Sequence, residues 1–404
     1  MAQPDPQQVL FISYDGLTDA LGQSQILAYL ERLTGPQRQI SILSFEKPEQ
    51  YPIHEPVVRD RVNKAGIRWI ECTYTKSPPV LSTLKDIRQG RKAIARYLQD
   101  TQPDIIHCRG YIPCMLGLYA ARKSGAKVIF DMRGWWADEK VESGSWASPV
   151  FRPIYKYFKS KEREFFRRAD HSVSLTHSGA DYIKAQGWAP AEKVSVIPTC
   201  VNFDYFPPFD AAVRDRFRQK LGIPSDAKVL VYSGSIGGNY PFAQLLALYE
   251  NFRQQYPGSR LLILSKTDTS IIERSTGGKP LRMEETIITS VAYKEIAQYL
   301  MAADAGVIMY TPGFSTIGRS PTKLGEYWSS GLPVIALGEA GDLKALSKRY
   351  PGGITLLPFG ESQAPDWNTL LQADKSTLHA HAVDYFSLDR GINFYDALYR
   401  GLED

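Results

Sequence analysis

The sequence predicts an α/β protein of two similar halves, each a parallel β-sheet flanked by helices. Three observations carry this. Short apolar runs alternate with longer helical patterns along the whole chain, the rhythm of βα units around a parallel sheet. The rhythm restarts at Val229–Ser233, after a break. The length of 404 residues exceeds what one hydrophobic core serves, so two domains are expected.

In the first half the expected strands are Val9–Ser13, Ile40–Phe45, Ile67–Ile70, Ile105–Cys108, Lys127–Asp131, Ser172–Leu175 and Val194–Ile197. Helical periodicity is clearest at Ser82–Gln99 and Pro113–Lys123. The stretch Pro198–Pro208 holds three prolines and no clean period, and reads as a linker. The second half continues with strands at Leu261–Leu264, Thr286–Ile288, Gly306–Met309 and Pro333–Leu337. The expected domains are therefore residues 1–203 and 204–386, followed by a last helix over 387–404 with aromatic residues at helical spacing.

Composition excludes several classes. Hydrophobic residues make up 43% and charged residues 23%, ordinary for a globular protein, and a net charge of +5 does not by itself imply nucleic acid. Cys72, Cys108, Cys114 and Cys200 form no CxxC pair and have no histidine pair at ligand spacing, which argues against zinc. The start Met1–Pro6 lacks a basic region and an apolar signal core, and no apolar run nears the ~18 residues of a spanning helix. A cytoplasmic protein is expected. No GxGxxG follows the first strand, so a dinucleotide fold is not supported. No Asp-x-Asp motif offers a divalent-metal site, and no metal is expected.

The most informative stretch is Ser320-Pro321-Thr322-Lys323-Leu324-Gly325-Glu326-Tyr327-Trp328, continuing to Gly331-Leu332-Pro333-Val334-Ile335. It reads as a loop, a short helix with Ser320 as N-cap and Pro321 first in the helix, and then a buried strand. A helix N-terminus offers free N–H groups and a positive dipole end to an anion. Lys323 in that first turn opposes the dipole, a choice that phosphate binding would explain. Glu326, one turn on, is placed to accept hydrogen bonds from a ribose. After the first strand, Asp15-Gly16-Leu17-Thr18-Asp19-Ala20-Leu21-Gly22 lets the backbone approach a ligand closely, with a helix starting near Gln23.

The Ser320–Ile335 string resembles the nucleotide-sugar signature of retaining glycosyltransferases of the GT-B type, family 4. Pro103–His107, Ala169–Thr176, Val194–Asn202, Val231–Ser235 and Ile296–Gly306 are similar to further family segments in the same order. The resemblance implies two Rossmann-like domains with parallel sheets facing a central cleft, and a final helix crossing back to the first domain. It implies a nucleotide-sugar donor, a sugar, glycan or lipid-linked acceptor, retention of configuration and no cofactor. It further implies donor contacts at Gly22, Gly237, Gly238, Arg319, Ser320, Pro321, Thr322 and Glu326. The stabilising cations are expected at Arg133, Lys266 and Lys323, and the acceptor side at Asp15, His107, Trp135 and Trp136.

The chain departs from the family in two places. Gly318 stands where many members carry the first Glu of Glu-x7-Glu. The turn Gly234–Tyr240 lacks the usual Arg and Lys. The positive charge must then come from Lys266, Arg319, Lys323 or Arg133. Arg133 stands where a His is common, and its guanidinium suits bidentate phosphate binding; the alternative is a surface pair with Asp138 or Glu139. His107 is otherwise a core residue, and Trp135 and Trp136 are otherwise packing. A nucleotide-sugar epimerase or phosphorylase on the same scaffold, or a non-catalytic sugar-binding protein, stays open. Phe151–Arg168 sets aromatic residues on one face and Arg152, Lys156, Lys159, Arg163 and Arg167 on another. It is an ordinary domain helix or a membrane-surface helix.

Overall fold

A computed structural model describes residues 5–238, 240–360 and 363–402. Met1–Pro4 of the N-terminal reading, Asn239 of the Gly234–Tyr240 turn and the last two residues of the 387–404 helix lie outside them. The chain forms two compact units: Met1–Glu139 with Ser148–Pro198 and Leu388–Asp404, and Lys140–Ala147 with Thr199–Ser387.

The first unit holds seven parallel strands, β1 (Gln7–Ser13), β2 (Arg38–Glu46), β3 (Arg68–Thr73), β4 (Ile105–Arg109), β5 (Lys127–Asp131), β6 (His171–Ser174) and β7 (Val194–Val196), in the order β3-β2-β1-β4-β5-β6-β7. β1, β4 and β5 are almost wholly buried, as expected for strands covered by helices on both faces. The second unit holds β8 (Val229–Ser233), β9 (Arg260–Leu264), β10 (Thr286–Thr289), β11 (Ala305–Met309), β12 (Val334–Leu337) and β13 (Ile354–Leu357), in the order β10-β9-β8-β11-β12-β13. Both sheets change direction beside their first strand, the point where open α/β sheets bind ligands.

Five helices matter below. α1 (Leu81–Tyr97), α2 (Tyr111–Ser124) and α3 (Arg152–Arg168) connect β3 to β4, β4 to β5 and β5 to β6. Right-handed crossovers put all three on one face of the first sheet, where α2 packs against both α1 and α3. α4 (Thr322–Ser329) lies between β11 and β12. α5 (Leu388–Arg400) packs on Ala28–Leu33, on the other face of the first sheet.

Two local readings are corrected. The helix expected near Gln23 begins at Ala20 and passes through a π-helical segment, Gln23–Leu27. β13 was not read from the sequence, because its four residues sit between Gly352-Gly353 and Pro358 and show no period.

Candidate active site

In the second unit, α4 begins one residue later than its sequence suggests. Pro321 occupies the N-cap position with φ −73° and ψ 104°, and no side chain caps the helix. Ser320 is not the cap, because its oxygens are held elsewhere. The Thr199 N–H donates to Ser320 Oγ at 3.2 Å, and Thr199 Oγ1 donates to the Ser320 carbonyl at 3.1 Å. The N–H groups of Thr322 and Lys323 lie outside the i→i−4 ladder, at the positive end of the dipole. The other end closes on Gly331 at φ 74°, with Leu332 N–H bonded to the Tyr327 carbonyl at 2.9 Å.

Tyr327 ties α4 to the sheet. Its hydroxyl accepts from the Ser233 N–H at 2.8 Å and donates to the Val307 carbonyl at 3.3 Å. Its ring rests on Gly306, where a Cβ would come within 2.4 Å of it. The first turn of α4 is thereby set beside the end of β8.

There Lys323 lies against the Gly234 backbone, at φ 131°; a Cβ on Gly234 would meet Lys323 Cε at 2.4 Å. The Lys323 ammonium stands 5.1 Å from the Tyr232 ring centre and 4.7 Å from that of Tyr240, a cation–π cradle. Burial lowers its pKa to about 8, against the opposing pull of Glu326. Glu326 is 6% exposed, and burial raises its pKa to about 7, countered by Lys323 and by a hydrogen bond from Tyr293. A desolvated cation and a desolvated carboxylate, one turn apart at a helix start, form a pair suited to the phosphate and ribose of a nucleotide.

The flanking loops differ in character. Gly237 and Gly238 take φ of 92° and 60° in the turn after β8, and Ile236 N–H donates to Thr267 Oγ1 at 3.0 Å. Lys266, in that neighbouring loop, is exposed. Arg319 stacks on Tyr310 with 5.4 Å to the ring centre. Glu142 is a residue that sequence reasoning missed. Its carboxylate accepts from Ser315 N–H at 3.0 Å and from the Ser315 hydroxyl, which holds the turn leading to Gly318. Gly313 lies against this carboxyl, and a Cβ there would stand 2.5 Å from it and displace the Glu142 side chain.

In the first unit a polar cluster lies between the sheet and α5. His107 is 1% exposed, with Nδ1 2.6 Å from the Tyr399 hydroxyl and Nε2 3.6 Å from Asp131. Burial lowers its pKa, against the opposing pull of Asp131. Asp131 accepts from the Tyr395 hydroxyl at 3.1 Å, and Arg133 stands 3.8 Å from it at φ 60°. Burial would raise the Asp131 pKa, but Arg133, His107 and Arg109 together hold it below its ordinary value. Of the two acids weighed as partners of Arg133, Asp138 is held by Lys159 and Tyr155, each at 2.8 Å. Arg109 is buried 3.8 Å from Asp15, and these groups edge a cavity about the size of one water molecule.

The glycine loop after β1 is organised by Glu46, also missed. This buried carboxylate accepts from Leu17 N–H at 2.9 Å, Thr18 N–H at 3.0 Å and Thr18 Oγ1 at 2.6 Å. An acid at the end of a buried strand was the available signal. Gly22 packs on the Gly16 carbonyl, 1.9 Å from where a Cβ would stand. Its smallness is thus required by packing. Trp135 is fully buried against Tyr182 and offers no face to a ligand, because the chain turns it inward after Gly134. Trp136 is partly exposed and packs on Phe158 and Tyr111.

Residues 37–205 match the family described as Glycosyltransferase Family 4. The match falls on the first half, whereas the sequence signature recognised above lies in the second. The chain is 26% identical over 192 residues to the putative glycosyltransferase EpsD of Bacillus subtilis, which is 46% of either protein, so it spans less than half of that relative's length. Among solved structures, it resembles the sucrose-phosphate synthase of Thermosynechococcus elongatus at 16% identity and a TM-score of 0.70, over 98% of this chain and 99% of that one. It resembles Anabaena Alr3699/HepE, solved with UDP-glucose, at 15% identity and a TM-score of 0.68, over 98% and 99%. These likenesses are of fold. Residues 37–205 thus carry a domain that matches the Glycosyltransferase Family 4 model, within a chain whose two parallel α/β sheets share the fold of these glycosyltransferase structures.

Proposed function

We propose that the protein moves a sugar from a nucleotide-sugar donor to a sugar, glycan or lipid-linked acceptor, with retention and without a metal ion. The observation that carries this is the desolvated Lys323–Glu326 pair at the start of α4. Glu326 accepts the ribose hydroxyls. The free N–H groups of Thr322 and Lys323, and the backbone at Gly237 and Gly238, receive the diphosphate.

Cleavage of the bond from the anomeric carbon to the donor's phosphate oxygen leaves negative charge on the diphosphate. Lys323, Lys266 and Arg133 are the cations proposed to stabilise it, and their effect is largest as that charge develops. The acceptor oxygen bonds to the anomeric carbon on the face the diphosphate leaves, and the acceptor proton passes to the departing phosphate. The donor is a substrate, and no cofactor enters. The acceptor falls to the first unit, with Asp15 and Arg133 at the strand ends. Among the described residues no helix is long and apolar enough to cross a membrane; contact with a membrane surface from the cytoplasmic side completes the reading.

A uridine diphosphate sugar is the first donor to test, since HepE was solved with UDP-glucose. Thermal shift against UDP, GDP, ADP and TDP, followed by donor hydrolysis, is the experiment. A melting temperature raised by one nucleotide and slow release of that nucleotide from its sugar are expected. No shift with any of the four would overturn the donor assignment.

A further inference from the structure

α1, α2 and α3 form one layer over the first sheet, and the outer side of that layer carries two cationic stripes, on α1 and α3, with further cations at the end of α2. On α1, Lys85, Arg88, Arg91, Lys92 and Arg96 are all exposed, at spacings that keep them on one side of the helix. On α3, Arg152, Lys156, Arg163 and Arg167 form a second exposed stripe. α2, between them, exposes Arg122 and Lys123 at its end and contains no acidic residue.

The acids of this layer are withdrawn from its surface. Asp86 of α1 is 0% exposed and accepts from Tyr14 and from the Thr75 N–H. Glu162 of α3 is buried, accepting from Tyr111 and Lys159. Glu164 is held by Lys161 and Arg168, at 2.7 and 2.8 Å. A chain with a net charge of only +5 has therefore gathered eleven exposed cations on one side of one unit, none of them in an ion pair among the described residues.

The same layer exposes apolar side chains at one end. Leu81 is 63% and Leu84 53% exposed at the start of α1, next to Val80, a β-branched residue held at φ 70°. Val150 is 71% exposed just before α3, and Tyr157 follows on its first turns. Helices that connect parallel strands run antiparallel to them, so both starts lie at the edge of the sheet where the strands end. An apolar rim beside a cationic face matches the two layers of a bilayer surface, acyl chains and anionic headgroups. A nucleic acid or a soluble polyanion would use the charge and leave the leucines exposed to water.

We propose that the outer face of α1–α2–α3 docks on an anionic phospholipid bilayer, with Leu81 and Leu84 entering the headgroup boundary and the α1 and α3 cations meeting the lipid phosphates. This surface specifies the membrane contact of the proposed function and rests on that reading; it lies in the first unit and uses none of the residues assigned to the donor, so its failure would leave the transfer reaction standing.

The test is sedimentation of the full chain with phosphatidylglycerol–phosphatidylcholine vesicles and with pure phosphatidylcholine vesicles, at low and high salt. Binding is expected on the anionic vesicles alone, weakened by salt, because each cation contributes about fivefold near such a surface. The triple variant Arg88→Gln, Arg91→Gln, Lys92→Gln should reduce binding on the order of a hundredfold. The double variant Leu81→Ser, Leu84→Ser should weaken it at unchanged charge. Both change exposed side chains, and unaltered nucleotide-induced thermal shifts would verify their fold. Full recovery of the parent chain in every supernatant would overturn the proposal. So would binding that the leucine variant retains in full and a soluble sulfated polysaccharide abolishes, which would mark a polyanion site.

Discussion

Lys323 and Glu326 stand three residues apart on α4, and burial brings their titrations close together, the lysine down to about 8 and the glutamate up to about 7. In water these groups titrate some six pH units apart. In the folded chain, mildly alkaline conditions find both near their midpoints. A diphosphate and a ribose supply what each lacks, an anion for the one and hydroxyl donors for the other.

Nucleotide affinity should therefore peak near pH 7–8. Below it Glu326 takes a proton and ceases to accept from both ribose hydroxyls. Above it Lys323 loses its charge. Titration calorimetry from pH 5.5 to pH 9.5 checks this, and a flat profile would remove both residues from the donor site.

Glu326→Gln should weaken nucleotide binding by about 1.5–3 kcal/mol, the range for hydrogen bonds to charged groups. The same variant should change the pH dependence of stability. A carboxyl raised from 4.5 to about 7 on folding contributes stability below pH 4.5 that is lost as the pH rises to 7. The parent chain should lose roughly 3 kcal/mol relative to the variant over that interval. Denaturant melts at pH 5 and pH 8 measure the difference.

Lys323→Ala should lower turnover more than it alters folding, since its charge acts on the leaving group. Lys266→Ala should have a smaller effect, because its side chain is exposed and screened by water. Full turnover in either variant would remove that lysine from the transfer step.

Asp131→Asn and Tyr395→Phe test the first unit. Asp131 stands beside both His107 and Arg133, and Tyr395 on α5 fixes Asp131. Each variant should reduce turnover about tenfold or more through a misplaced Arg133, while the nucleotide-induced thermal shift stays that of the parent. Loss of the thermal shift instead would mean that the cluster acts on the fold.

Gly234→Ala should impair donor binding with little loss of core packing. The added methyl would fall on the Lys323 side chain, and φ 131° is closed to alanine. Crystals or nuclear magnetic resonance spectra of the variant would show Lys323 displaced from the Tyr232 and Tyr240 rings.

Local sequence determined the strands and helices with strong periods, because burial on both faces leaves unbroken apolar runs such as Val229–Tyr232 and Val128–Phe130. It also determined that a helix starts near Thr322 with a lysine and a glutamate one turn apart. The tertiary structure decided the rest, through contacts that no local pattern carries. Thr199 claims Ser320 from 121 residues away and moves the helix start by one residue. Glu46 takes the amides of a loop 28 and 29 residues earlier. Tyr395 and Tyr399 reach back from the last helix to Asp131 and His107 across 264 and 292 residues. The shifted pKa values of Lys323 and Glu326 likewise come from desolvation, which is a property of the packed environment. A side chain's type can be read from its position in the chain, but its partners and its hydration are set only when distant segments close around it.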